Sequence, residues 1–159
     1  MSDRPPERSA LANGFTLVEL VVIVLVLGIL AMVASARFAD QKSFEARGYY
    51  DELVSATRFA QRHAVSSGCT VRIDILASTY ALTTQDSICG FGTAIQSPSG
   101  SVFSGTAPAG VTVTGGTGSY LFDARGNVGT AVDTTVTVAG GGSSLSFVIT
   151  GISGFVNTP

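Results

Sequence analysis

From Phe15 to Ala36 the chain reads FTLVELVVIVLVLGILAMVASA, a run in which Glu19 is the only charged side chain. As a helix it would extend roughly 33 Å, about one membrane hydrocarbon core. So long an apolar run is read as a membrane span rather than a core helix, and it constrains topology before anything else. Residues 1–14 are polar and carry Arg4 and Arg8. Cations ahead of an apolar span keep that end cytoplasmic, so the rest of the chain is expected outside the inner membrane.

Charge and glycine divide the remainder of the chain. Nine of the 20 acidic and basic residues lie between Arg37 and Arg62, and 16 of the 19 glycines lie after Ser67. The chain therefore reads as a leader (1–14), an apolar span (15–36), a charged helical stretch (37–67) and a β-rich head (68–159). The net charge of −2 excludes an overall polybasic character. Cys69 and Cys89 are the only cysteines. In an exported chain such a pair reads as one disulfide, and in the cytosol as two thiols.

Glu19 needs a reason. A carboxylate inside a span costs about 2.5–3.5 kcal/mol at a helix centre, and less near its end. An ordinary secretory signal cut after Ala34-Ser35-Ala36 would explain the run but not the acid. An uncleaved anchor would give Glu19 no purpose either.

Gly14-Phe15-Thr16-Leu17-Val18-Glu19 resembles the processing motif of type IV pilins and type II secretion pseudopilins. The resemblance implies cleavage by a prepilin peptidase after Gly14, N-methylation of Phe15 and an assembly role for Glu19. Physical chemistry supplies a rationale for that role. Cleavage would create a cationic amine on Phe15, and the Glu19 carboxylate of an incoming subunit could pair with a neighbour's amine. Pairing in a low dielectric offsets desolvation and fixes the register between subunits.

The helical reading continues without proline to about Ser66. Tyr49, Leu53, Ala56, Ala60 and Ala64 recur at three- and four-residue spacing, with Tyr50, Val54 and Phe59 widening the stripe. Ser66-Ser67-Gly68 is the expected stop. The period then changes to two. Val71, Ile73 and Ile75 alternate with polar residues, and residues 80–84 return as a partner strand, so that Cys69 and Cys89 would tie the outer ends of this hairpin. Residues 90–110 read as a loop. Short β runs come next at 111–114, 119–122, 134–138 and 145–150, with glycine turns at Gly115-Gly116 and 140–142 and a last edge strand within 151–156. The expected class is α+β: a long N-terminal helix, transmembrane in its first half, packed against a small antiparallel sheet.

RGYYDELVSATRFAQRHAVSSGCTVRIDI, YLFDARGNV and SFVITGISGFV resemble the GspH/FimT-type domain, and the GYYDE style is similar to minor pilins of mannose-sensitive hemagglutinin systems. Two departures stand out. Ala36 occupies a position where many relatives carry a helix-kinking proline. The terminal GISGFVNTP lacks the basic residues of DNA-binding relatives.

No catalytic constellation is legible. His63, the single histidine, has no G-x-S-x-G nucleophile and reads as a packing or capping residue. Together with Cys69 and Cys89 it would make three metal ligands, but a C-x-x-C pair is absent and an exported pair favours the disulfide. Residues 123–127 lack the order of a calcium loop and read as a turn with Gly126 or Asn127 at positive φ. No metal or cofactor is expected. The chain reads as a structural subunit of a type IV pilus or a secretion pseudopilus, not an enzyme. Its expected partners are the peptidase, other pilins, the inner membrane and the assembly platform, with the head in the periplasm. A DNA-uptake receptor and an adhesive tip subunit are the alternatives. DNA binding needs several phosphate-contacting cations, for which Arg58, Arg62 and Arg72 are the candidate cluster.

Overall fold

The computed structural model describes residues 15–97 and 100–159, with side chains for all of these except 33–40. Helix α1 spans Leu17–Ser67 and passes through residue 36 without a break. Eight strands come after it: β1 Val71–Ile75, β2 Thr79–Thr84, β3 Ser104–Thr106, β4 Val111–Gly115, β5 Gly118–Phe122, β6 Thr134–Gly140, β7 Ser143–Ile149 and β8 Val156–Asn157. The chain forms two compact units, Met1–Arg37 and Phe38–Pro159.

In the second unit the helix buries the stripe that its spacing predicts. Leu53, Ala56, Ala60 and Ala64 are fully buried, with Ala46, Tyr49, Tyr50 and Val54 beside them. Four of these residues are alanine, and small side chains on the helix leave room for large ones on the strands. Val71, Ile73, Ile75, Leu82 and Phe122 fill that room, and all are fully buried. At Gly68 (φ +70°) the chain enters the left-handed region, and the Gly68 N–H bonds to the Ala64 carbonyl at 3.0 Å, closing α1.

The strands form two four-stranded antiparallel sheets rather than the single sheet expected. One has the order β3-β2-β1-β5 and the other β4-β6-β7-β8. In the first, Ile73 faces Leu82 on one side and Tyr120 on the other. In the second, Val136 faces Phe147 and Val138 faces Leu145. Both sheets contribute to one hydrophobic cluster.

The division arises at Gly115-Gly116. The register of β4 on β6 shifts between Val113 and Gly115, and Gly116 turns at φ +69°. A Cβ there would meet the Thr135 carbonyl at 2.5 Å and Val136 Cα at 2.8 Å. Glycine thus lets the chain leave one sheet for the other where a sequence reading shows only a turn.

The region expected to be a loop holds β3, which pairs Thr79 with Thr106 and Tyr80 with Gly105. The last strand is shorter and later than expected. Residues 151–153 form a turn in which Ile152 has φ +66°, and β8 begins at Val156.

Candidate functional site

The first turn of α1 belongs to the first unit. The Thr16 hydroxyl accepts the Glu19 N–H at 3.2 Å, and the Thr16 carbonyl accepts the Leu20 N–H at 3.2 Å. Thr16 is therefore the N-cap, and T-L-V-E is a Thr-x-x-Glu capping sequence. The residues of the processing motif thus also cap the helix. The cap fixes Glu19 in the first turn, where the helix dipole favours an anion. Glu19 is exposed, and so is every apolar side chain from Phe15 to Met32. Gly14 lies outside the described residues, as does the whole of 1–14. Among the described residues no helix is long and apolar enough to cross a membrane. The run expected to do so continues through residues 33–36, whose side chains lie outside the described set.

In the second unit Cys69 and Cys89 form a disulfide with Cα atoms 6.2 Å apart. Val71 pairs with Thr84 in the β1–β2 ladder, and the Gln85 N–H bonds to the Thr70 carbonyl at 2.8 Å. The cross-link thus closes the open end of the hairpin. It consumes both thiols, which removes the three-ligand metal option with His63. His63 instead stacks on Phe59 with centroids 5.6 Å apart, and Phe59 stacks on Phe103 at 4.5 Å. Among the described residues no group of His, Cys, Asp or Glu is placed to hold a metal.

The cations divide differently from the expected cluster. Arg72 lies 2.9 Å from the Asp74 carboxylate, an ion pair without hydrogen-bond alignment, on the first sheet. Arg58 and Arg62 lie with Arg47 instead, along a groove of about 570 Å³ between α1 and β7. Tyr50, Asp51 and Ser146 also line it. The Tyr50 hydroxyl donates to the Ser146 carbonyl at 3.2 Å, and Arg58 Nη2 donates to the Val156 carbonyl at 3.2 Å. The groove joins residues from distant parts of the sequence, so no local motif announces it.

Asp123 closes the turn expected at 123–127. Its carboxylate accepts the N–H groups of Arg125 and Asn127 at 2.8 and 2.9 Å, and Gly126 has φ +82°. The bond from the Asn127 backbone, more than any other influence, holds the Asp123 pKa below its ordinary value. Gln61 reaches this turn from α1, donating to the Gly126 carbonyl at 3.1 Å.

Over residues 50–154, about two thirds of the chain, the sequence matches the family described as Type II transport protein GspH. The chain belongs to the GspH family. The fold of this GspH-family chain is similar to that of the type IV minor pilin FimU of Pseudomonas aeruginosa. The TM-score is 0.56 at 14% identity, over 76% of this chain and 89% of that one. It is also similar to the minor pseudopilin EpsH from the type 2 secretion system of Vibrio cholerae. There the TM-score is 0.59 at 12% identity, over 72% of this chain and 96% of that one. No curated protein matches the chain in sequence. The expected resemblance to pilins and pseudopilins thus holds for family and for the α+β fold.

Proposed function

We propose that this GspH-family chain is a minor pilin or pseudopilin, a structural subunit rather than an enzyme, which joins other pilin-type subunits in a type IV pilus or a type II secretion pseudopilus. The family supports the structural role. In this reading residues 1–14 are a leader and 15–36 an anchoring and docking helix. Residues 37–67 are the helix that carries the head, and 68–159 are the head itself. A prepilin peptidase cuts between Gly14 and Phe15, Phe15 is N-methylated, and the head lies in the periplasm until the assembly platform extracts the subunit.

One observation carries the reading: a capped first turn presents Glu19 at the start of a helix whose apolar side chains from Phe15 to Met32 are all left exposed. Side chains so exposed require another apolar environment, either lipid or neighbouring helices. The Glu19 carboxylate then pairs with the Phe15 amine of the adjacent subunit, which offsets the cost of removing it from water. The disulfide supports an oxidising compartment for the head.

Mass spectrometry of the mature N-terminus tests the processing step. An N-methylated Phe15 terminus is expected, and cleavage after Ala36 would sink the reading. Glu19→Ala should leave cleavage intact and reduce incorporation into fibres. Normal incorporation of that variant would remove the pairing mechanism.

A further inference from the structure

We infer that the turn between β7 and β8, at residues 151–154, is a docking knob whose Ile152 side chain enters an apolar pocket of a neighbouring pilin-type subunit. The inference rests on the assembly reading above.

The first ground is a strained residue that the head itself does not use. Among the described residues Ile152 is the one non-glycine at positive φ, +66°. A β-branched side chain is poorly tolerated there, and such strain persists only where the surroundings impose it. Here they do. The Ile152 N–H bonds to the Thr130 carbonyl at 2.9 Å, and the Gly154 N–H to the Thr150 carbonyl at 2.9 Å. The Thr150 N–H bonds to the Phe155 carbonyl at 2.8 Å. The Asp133 carboxylate accepts the Gly151 N–H at 2.8 Å, and Gln61 donates to the Ser153 carbonyl at 3.1 Å. The neighbouring glycines have local reasons. A Cβ at Gly151 would meet the Val132 backbone at 2.8 Å, and one at Gly154 would collide with the Gly126 carbonyl. Ile152 is 68% exposed, so neither core packing nor backbone conformation accounts for an isoleucine.

The second ground is what surrounds it. Val132, Phe155 and Val65 are exposed as well. Val132 lies against Gly151, and Val65 lies against Gly126, which abuts Gly154. Phe155 lines a cavity of about 190 Å³ with Arg58, Gln61, Arg62 and Val156. In β8 Val156 faces Ile149 and Asn157 faces Val148, so the strand leads away from this turn. Exposed apolar side chains around one feature mark a contact with another molecule, and a turn already fixed by its bonds lowers the ordering cost of binding. The fixed shape points to a folded protein, because a fluid lipid surface requires no particular turn geometry. Asp133 beside Gly151 and Asp123 in the adjoining turn add negative charge. An anionic lipid or a nucleic acid would meet repulsion there. Arg62, next to Phe155, suits a carboxylate at the rim of the partner's pocket. A knob on one subunit and a different surface on the next make a heterologous contact, the kind from which open helical fibres are built.

The test uses the full chain in its own host cells, with Val132 replaced by a photoreactive benzophenone amino acid. Irradiation should give an adduct that mass spectrometry maps to an apolar pocket of another pilin-type subunit. Ile152→Asn removes the knob yet suits the backbone, because asparagine enters the left-handed region several times more readily than most residues. It should lower the adduct yield about tenfold, within what burying one isoleucine side chain supplies. In detergent the same full-length variant should unfold at an unchanged or higher temperature. Arg62→Glu should lower the yield as well. An adduct to lipid, to nucleic acid, to a non-pilin protein or to nothing overturns the inference, as does a yield that either substitution leaves unmoved. A lower unfolding temperature for Ile152→Asn also overturns it, because the isoleucine would then serve the head. The same samples report the N-terminus. A mature Phe15 terminus without the adduct overturns the knob alone, whereas an unprocessed chain overturns the assembly reading and the inference with it.

Discussion

Tyr80 on β2 donates its hydroxyl to the Glu52 carboxylate on α1 at 2.7 Å. Burial, and after it this carboxylate, raise the Tyr80 pKa. Burial is also the leading cause of the upward shifts at Tyr49, Tyr50 and Tyr120, so all four tyrosines of the chain shift the same way. A raised folded pKa means that the stability is fully present below the unfolded value, about pH 10, and is lost as pH rises through the folded value. In an alkaline titration, tyrosinate absorbance should therefore appear together with the loss of circular dichroism. Tyrosinate formation near pH 10 with the dichroism intact would contradict this. Tyr80→Phe should cost about 1 kcal/mol at neutral pH in chemical denaturation and soften the alkaline loss.

Gly105 on β3 lies opposite Tyr80. A Cβ at this position would collide with the Tyr80 ring and the Glu52 carboxylate. Gly105→Ala should therefore destabilise the head by about 1–3 kcal/mol, the usual cost of overpacking. The checks are the midpoint of thermal unfolding and the near-ultraviolet dichroism of Tyr80. An unchanged midpoint would mean that the ring moves aside without loss.

Asp123 gives an acid-side prediction. Its pKa is lowered, so the carboxylate's contribution to the turn is present above the unfolded value and is lost as pH falls through the lowered folded value. The amide resonances of Arg125 and Asn127 should titrate together, with a midpoint below that of a free aspartate. Asp123→Asn keeps an acceptor oxygen and should abolish that titration while leaving the turn formed. Two unrelated midpoints for the two amides would separate the carboxylate from the turn.

The disulfide closes a loop with a sequence separation of 20 residues. Chain entropy gives it about 3 kcal/mol of stabilisation. Cys89→Ser should lose about that amount in urea denaturation, and the wild-type head under reductant should match the variant. Equal stability of the oxidised and reduced wild type would deny the cross-link this role.

The head was legible in the sequence wherever a side-chain period marked an element. Val71, Ile73 and Ile75 alternate plainly, and the stripe from Tyr49 to Ala64 repeats at helical spacing, so β1 and the buried face of α1 can be read directly. β3 carries only Ser-Gly-Thr and is held by backbone pairing and by the room above Tyr80, which leaves no apolar trace. The two-sheet division depends on Gly116 approaching the backbone of β6, and a glycine pair reads the same at a hairpin and at a crossing. At the N-terminus the motif pointed to Glu19 but hid the Thr16 cap in the same letters. The arginine groove needs residues 47–62 beside 145–146 and 158–159, a long-range proximity that no window of sequence contains.

The cross-link after α1 also sets where load goes. A pull on the helix end leaves Ser67 through Gly68 and reaches Cys69, where the covalent path forks. One branch enters β1 at its start and runs round the β1–β2 hairpin, and the other crosses directly to Cys89, where the two rejoin and continue through Gly90 into the rest of the head. Tension therefore passes across the base of the hairpin, and β1 and β2 cannot be drawn out of the head along the chain without first breaking the disulfide. Single-molecule stretching should show this as a higher rupture force for the oxidised head than for the reduced one, a property suited to a subunit in a fibre under traction.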